Sequence, residues 1–282
     1  MSALFQPAIP LGGYLGWRVL QNTAIRQQAA FDNTPSIQRD IQYFLDNIEN
    51  ATTPTALVGD RRLLKVALGA FGLDDEIDKK AFIKTIISGS TSDPKSFVSR
   101  LNEPRYKALT DAFGYGDITL GTNVTLQSFK DDIVSRYKTL EFERAVGDVD
   151  VDARLALNFK REIAGIAASP NVDSSGWFKI LGEAPLRELV MTAFNLPDAM
   201  SKLDIDKQKQ ILEQKADQLF GGKSPAVFAD PAKVEDAIRR FFLARQVANG
   251  PTLSTPGAGA LALLTGSLGS DTTANLILSQ AG

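Results

Sequence analysis

Apolar side chains return every third or fourth residue along most of the chain, a period that helices satisfy and strands do not. Ile37, Ile41, Phe44, Leu45 and Ile48 fall on one helical face, with Ser36 placed to cap it. Leu63, Leu64, Ala67, Leu68 and Phe71 repeat the pattern between a start near Asp60 and a stop at Gly72. Asp93-Pro94 reads as a cap followed by proline at the first helical position, where no N–H is needed. Asn102-Glu103-Pro104 opens another helix, with Tyr106, Leu109 and Phe113 inward and Gly114 at its end. Phe129, Ile133, Tyr137 and Leu140 line a long helix, and Leu155, Phe159, Ile163 and Ile166 line the next behind Asp150 or Asp152. Pro185 opens a helix carrying Leu186, Leu189, Val190, Ala193 and Phe194, which Pro197 closes. Ile211, Leu212, Lys215 and Leu219 mark a further helix, and Asp230-Pro231 opens the last, with Val234, Ile238 and Phe241 on its apolar side. Only residues 119–126 alternate even weakly in the manner of a strand. The predicted fold class is all-α.

These landmarks recur in the same order roughly 120 residues further on. The run from Gln38 to Ile48 corresponds to Arg154 through Ile163, and Leu63-Leu64 through Phe71 to Leu186 through Phe194. Asp93-Pro94 with Phe97 matches Ser224-Pro225 with Phe228, and Glu103-Pro104 with Phe113 matches Asp230-Pro231 with Phe241. The pattern predicts two tandem pseudo-repeats of a helical bundle unit. Their expected limits are an N-terminal arm at 1–13, a first repeat at 14–116, a second at 126–246 and a tail at 247–282. That tail is almost free of charge, and its Leu261, Leu263, Leu264, Leu268, Leu276 and Leu278 are the residues expected to contact either the protein itself or a partner.

Composition excludes more than it assigns. With no cysteine, disulfides, thiol nucleophiles and cysteine metal sites are ruled out. With no histidine, so are the commonest general base and the Ser-His-Asp triad. A net charge of −2 gives no footprint for nucleic acid, and Arg61-Arg62 and Arg239-Arg240 read as solvated helix edges. No run approaches a membrane span, and residues 1–10 lack the basic start of a secretory signal. The expected location is therefore the cytoplasm, with export by a route that reads uncleaved or non-Sec signals left open.

Motifs with chemical precedent each fall short. Gly221-Gly222-Lys223-Ser224 resembles the end of a phosphate-binding loop, but Asp217 stands where the first glycine belongs and a helix precedes it. Asp148, Asp150 and Asp152 begin like a calcium loop, but Ala153 and Phe159 occupy the glycine and glutamate positions. Asn171, Asp173, Ser175 and Gly176 end on Gly182 at the twelfth position and read as a polar turn. Asp74-Asp75-Glu76 with Asp78 suits the positive end of a helix dipole as well as it suits a cation. No catalytic, cofactor-binding or metal-ligating residue is assigned, and no cofactor is expected.

Asp60-Arg61-Arg62-Leu63-Leu64, Ala70-Phe71-Gly72-Leu73 and Ala112-Phe113-Gly114-Tyr115-Gly116 together resemble the bacterial family of domains of unknown function numbered 1217. Arg136-Tyr137, Phe142-Glu143 and Ala193-Phe194-Asn195-Leu196-Pro197 fit the same pattern. That family occurs chiefly in alphaproteobacteria and is often encoded beside flagellar genes. The resemblance implies an all-helical protein without established catalytic activity, and it transfers no functional residues. The expected function is a non-enzymatic interaction or assembly protein of the flagellar system, with protein partners. The alternatives are a small-molecule pocket between helices or an enzyme working through carboxylate, lysine or tyrosine. A nucleic-acid-binding helix-turn-helix ranks last.

Overall fold

The computed structural model describes residues 5–101, 103–116 and 122–248. Among them every regular element is helical: α1 (Gly13–Asp32), α2 (Pro35–Asn47), α3 (Pro54–Gly59), α4 (Arg61–Gly69), α5 (Lys80–Ile87), α6 (Phe97–Arg100) and α7 (Pro104–Phe113). They continue as α8 (Gln127–Gly147), α9 (Val151–Ala167), α10 (Val172–Gly182), α11 (Ala184–Ala193), α12 (Ile205–Phe220) and α13 (Pro231–Ala248). Short 3₁₀ turns occur at Ile48–Asn50, Asp74–Glu76, Asp198–Lys202 and Pro225–Ala229. No described helix is long and apolar enough to cross a membrane. The six tail leucines, Leu261 to Leu278, lie outside the described residues.

The chain divides into two compact units, Met1–Ile163 and Ala164–Gly282. In the first, α8 lies against α1, α2 and α4. Phe129 of α8 meets Phe44 and Phe113 at ring separations of 6.5 and 4.9 Å, and Phe142 meets Phe31 at 5.8 Å. Ile133, Phe44 and Phe113 are wholly buried, each contributing about 1.5–3 kcal/mol. In the second unit, α11 packs along α13, and Trp177, Phe194, Phe220 and Phe228 form an aromatic cluster.

Most ends are set by local chemistry. Asp60, Glu103 and Asp230 each accept an N–H from the first turn of the helix that follows, as predicted. Four expectations shift. Thr34 rather than Ser36 precedes α2, because Pro35 takes the first helical position. Asp93-Pro94 makes a turn, with Asp93 accepting the Lys95 and Ser96 N–H groups, and the helix waits for Phe97, where Ser96 caps Ser99 N–H. The weakly strand-like stretch ends as a turn: Asn123 and Thr122 hydrogen-bond the carbonyl of Phe113, completing the end of α7. In α12 the buried face is Gln208, Leu212, Ala216 and Phe220; of the expected Ile211, Leu212, Lys215 and Leu219, Leu212 lies on it and the others do not. Phe220 must reach the aromatic cluster, and Gln208 is tolerated inside because its amide donates to the Leu203 carbonyl at 2.9 Å.

Candidate functional site

A network of ionisable groups, from half-exposed to buried, borders α4. Leu63, Leu64, Val66, Ala67 and Leu68 leave this helix almost no solvent face, so the polar groups beside it must satisfy one another. At its start, Asp60 accepts the N–H groups of Arg62 (2.9 Å) and Leu63 (3.1 Å) and the Tyr43 hydroxyl (2.6 Å). Burial pushes the Asp60 carboxyl up, but these three bonds and the Arg62 charge outweigh it and hold the group below its ordinary value. The bond to Asp60 in turn raises the Tyr43 phenol. The Arg62 guanidinium carbon lies over the Tyr43 ring, 3.7 Å from its centre.

Midway along α4, Lys65 Nζ reaches Asp40 Oδ2 of α2 at 2.6 Å. The same oxygen accepts the hydroxyl of Tyr137 from α8 at 3.2 Å. Tyr137 is wholly buried, and burial first, then the Glu141 and Asp40 charges, push its phenol far up, so it stays protonated. Gly69 closes α4 directly on this ring, where an added Cβ would come within 2.9 Å of two ring carbons.

One helical turn beyond Tyr137, Glu141 is 5% exposed and pairs with Arg144, which lies 4.0 Å from Asp74 of the 3₁₀ turn. Burial raises the Glu141 carboxyl, Arg144 opposes, Asp74 adds to the rise, and the net direction is upward. Further along α8, Glu143 is held by Arg161 of α9 through two bonds of 2.8 and 3.1 Å. The seam thus spends donors on acceptors across α2, α4 and α8. Its one distinctive chemical property is a carboxyl pushed towards neutrality among fixed charges.

The motifs noted in the sequence are dispersed. Asp74 faces Arg144, Glu76 pairs with Lys79 at 3.0 Å, and Asp78 pairs with Arg61 at 2.6 Å. Among the described residues no three acidic side chains converge as metal ligands. Asp150 caps α9 by accepting Ala153 N–H at 2.9 Å. The expected polar turn at residues 171–182 is instead α10, since Gly176 packs on Pro225 and Trp177 is drawn into the core. Gly221 ends α12 in a left-handed conformation (φ 74°), and the Lys223 carbonyl accepts the Trp177 indole N–H at 2.8 Å, which is structural use of the Gly-Gly-Lys-Ser stretch. Arg239 and Arg240 both pair with Asp236. Asp40, Lys65 and Glu141 were not singled out from the sequence. A signal for Glu141 exists, because steps of four from Phe129 through Ile133 and Tyr137 land on it rather than on the half-buried Leu140.

A family model described as "Protein of unknown function (DUF1217)" matches residues 70–234, more than half of the chain. The crystal structure of a protein from Agrobacterium tumefaciens is similar with a TM-score of 0.67 and 24% identity, over 86% of this chain and 100% of that one. At that identity the likeness is one of fold. Among curated proteins none matches the sequence.

Proposed function

The chain belongs to the DUF1217 family of proteins of unknown function, and on that premise we propose that it is a non-enzymatic helical interaction and assembly protein of the bacterial flagellar system. The observation that carries the interaction half of this reading is where large apolar side chains meet solvent. Leu15 and Ile25 of α1 are 66% and 89% exposed, and Leu243 and Val247, one turn apart on α13, are 46% and 82% exposed. Single exposed apolar residues are ordinary, but a pair on one helix face leading into a nearly uncharged apolar tail favours a covered surface. The flagellar half rests on the resemblance in sequence, and export by a flagellar-type route remains part of the same proposal. Co-purification of the full chain from its native host, with motility scored in a deletion strain, tests both halves. Flagellar components in the eluate and impaired swimming are expected. Normal flagella and no specific protein partner would overturn the reading. Truncation before Asn249 is expected to leave a folded protein that loses its partner, placing the tail leucines at the contact.

We also infer that the chain arose by duplication. In support, a long helix, a second helix, a pair of shorter helices, a 3₁₀ turn, a further helix, one short turn of helix and a closing Pro-initiated helix run from α1 to α7 and again from α8 to α13, the first run having an extra 3₁₀ turn at Ile48–Asn50. Asp93 and Ser224, and likewise Glu103 and Asp230, each accept the backbone N–H two residues ahead at corresponding places.

A second reading, a ligand-binding protein or an enzyme independent of histidine and cysteine, is favoured by the raised carboxyl of Glu141 beside Tyr137. A metabolite screen by thermal shift, in wild type and Glu141→Gln, distinguishes it. A ligand whose stabilisation disappears in the variant supports this reading, and no shift from any compound counts against it.

A further inference from the structure

We propose that residues 5–11 form an exchangeable arm that docks on α1 of a second copy of this chain, joining two copies by reciprocal arm exchange. The docking surface is seen occupied by the chain's own arm. The Gln27 side-chain amide, on the buried face of α1, reads the backbone of Ala8 in both directions: Ala8 N–H donates to Gln27 Oε1 at 2.7 Å, and Gln27 Nε2 donates to the Ala8 carbonyl at 3.2 Å. Thr23 Oγ1 accepts from the same Nε2 at 2.7 Å and so fixes the amide's orientation. Beside this clamp Pro7 is buried, and Phe5 sets its ring edge-on to Phe31 at 5.5 Å. Gly16 admits the arm at close range: a Cβ there would overlap the Leu11 carbonyl and lie 3.1 Å from Ile9. The surface is therefore built for one extended segment, with a main-chain clamp, an aromatic pocket and a glycine-made approach.

Two features select a second copy as the donor. The arm joins α1 through Gly12-Gly13, where Gly13 has φ +67° and an added Cβ on either residue would meet nothing within 4 Å. Such a hinge redirects the chain at little steric cost. The arm's contacts are the same whether it docks at home or abroad, so the balance is set by what surrounds the hinge. There Leu11 and Leu15 are 52% and 66% exposed, apolar surface that a two-fold partner with the same hinge would cover. The proposal needs only a second copy of the chain and assigns Leu15, among the exposed apolar residues named above, to that self-contact.

The absence of cysteine makes a clean test available. Full-length Ala8→Cys and Ala24→Cys proteins, the second cysteine standing beside the clamp on α1 without replacing Thr23 or Gln27, are mixed, incubated and treated with a short bismaleimide, alongside the double variant on one chain. Exchange predicts a two-chain product from the mixture, growing with protein concentration. Gly16→Ala, introduced into both partners, should abolish that product while leaving helicity by circular dichroism intact, because alanine suits a helix but blocks the arm. A double variant that crosslinks only within itself, with no two-chain product from the mixture at any concentration, would overturn the proposal. Should Gly16→Ala unfold the protein, the mixing experiment on otherwise wild-type chains still decides.

Discussion

Gly69 shows how a single hydrogen in place of a methyl group sets the spacing of two helices. Alanine there would improve helix propensity, but only at the last residue of α4, while its Cβ would press on the Tyr137 ring at 2.9 Å. Overpacking of a buried contact costs about 1–3 kcal/mol, more than the propensity returns. Gly69→Ala is therefore expected to lower the melting temperature, and a melt matching wild type would show that the seam yields freely. Glu141 carries a pH prediction. Its folded value is raised above the ordinary 4.5, so the folded state holds its proton more tightly, and stability rises as pH falls through the window between those two values. Asp60, Glu103 and Asp236 are shifted down, so the stability they add is present above their ordinary values and is lost as pH falls through the lowered ones. Denaturant midpoints across pH should thus peak on the acid side of neutrality. Glu141→Gln should flatten the rise from neutrality into that peak, and superimposable profiles would refute the assignment.

At the scale of elements, caps were legible and faces less so. Asp60, Glu103, Asp150 and Asp230 were readable because each bonds an N–H two or three residues ahead. Which face of α12 turns inward was not, since Phe220 is drawn in by Trp177, Phe194 and Phe228 from other elements. The calcium-like residues 171–182 illustrate the same rule. In α10 their polar side chains radiate from a helix rather than wrap an ion, and Trp177 sits at its centre as a reporter. Calcium titration should leave Trp177 fluorescence unchanged, and a saturable change would reinstate the site. Trp177→Phe keeps an aromatic ring but strands the Lys223 carbonyl, a loss of about 1–3 kcal/mol measurable by urea unfolding.

For the molecule as a whole, the repeating pattern and the packing have different limits. The sequence pattern ends its first copy at residue 116, but the first compact unit extends to Ile163 and includes α8. Phe129, Ile133, Tyr137 and Phe142 of that helix supply the core opposite Phe44, Phe113 and Phe31. A fragment of residues 1–116 should consequently show little cooperative structure by circular dichroism, while one of residues 1–167 should melt cooperatively. A well-folded 1–116 fragment would mean that the repeat is also the folding unit.

The sequence by itself determined the helical class, the starts of α4, α7, α9 and α13, and a family resemblance that the match over residues 70–234 bears out. These properties depend on neighbours within one or two helical turns, where capping groups and a 3.6-residue period act directly. Tertiary structure alone decided that Glu141 is buried, that Asp40, Lys65 and Tyr137 meet, that Gln27 clamps Ala8, and that α8 completes the first core. Those contacts join residues from about 20 to nearly 100 positions apart, and burial rather than local propensity selects them.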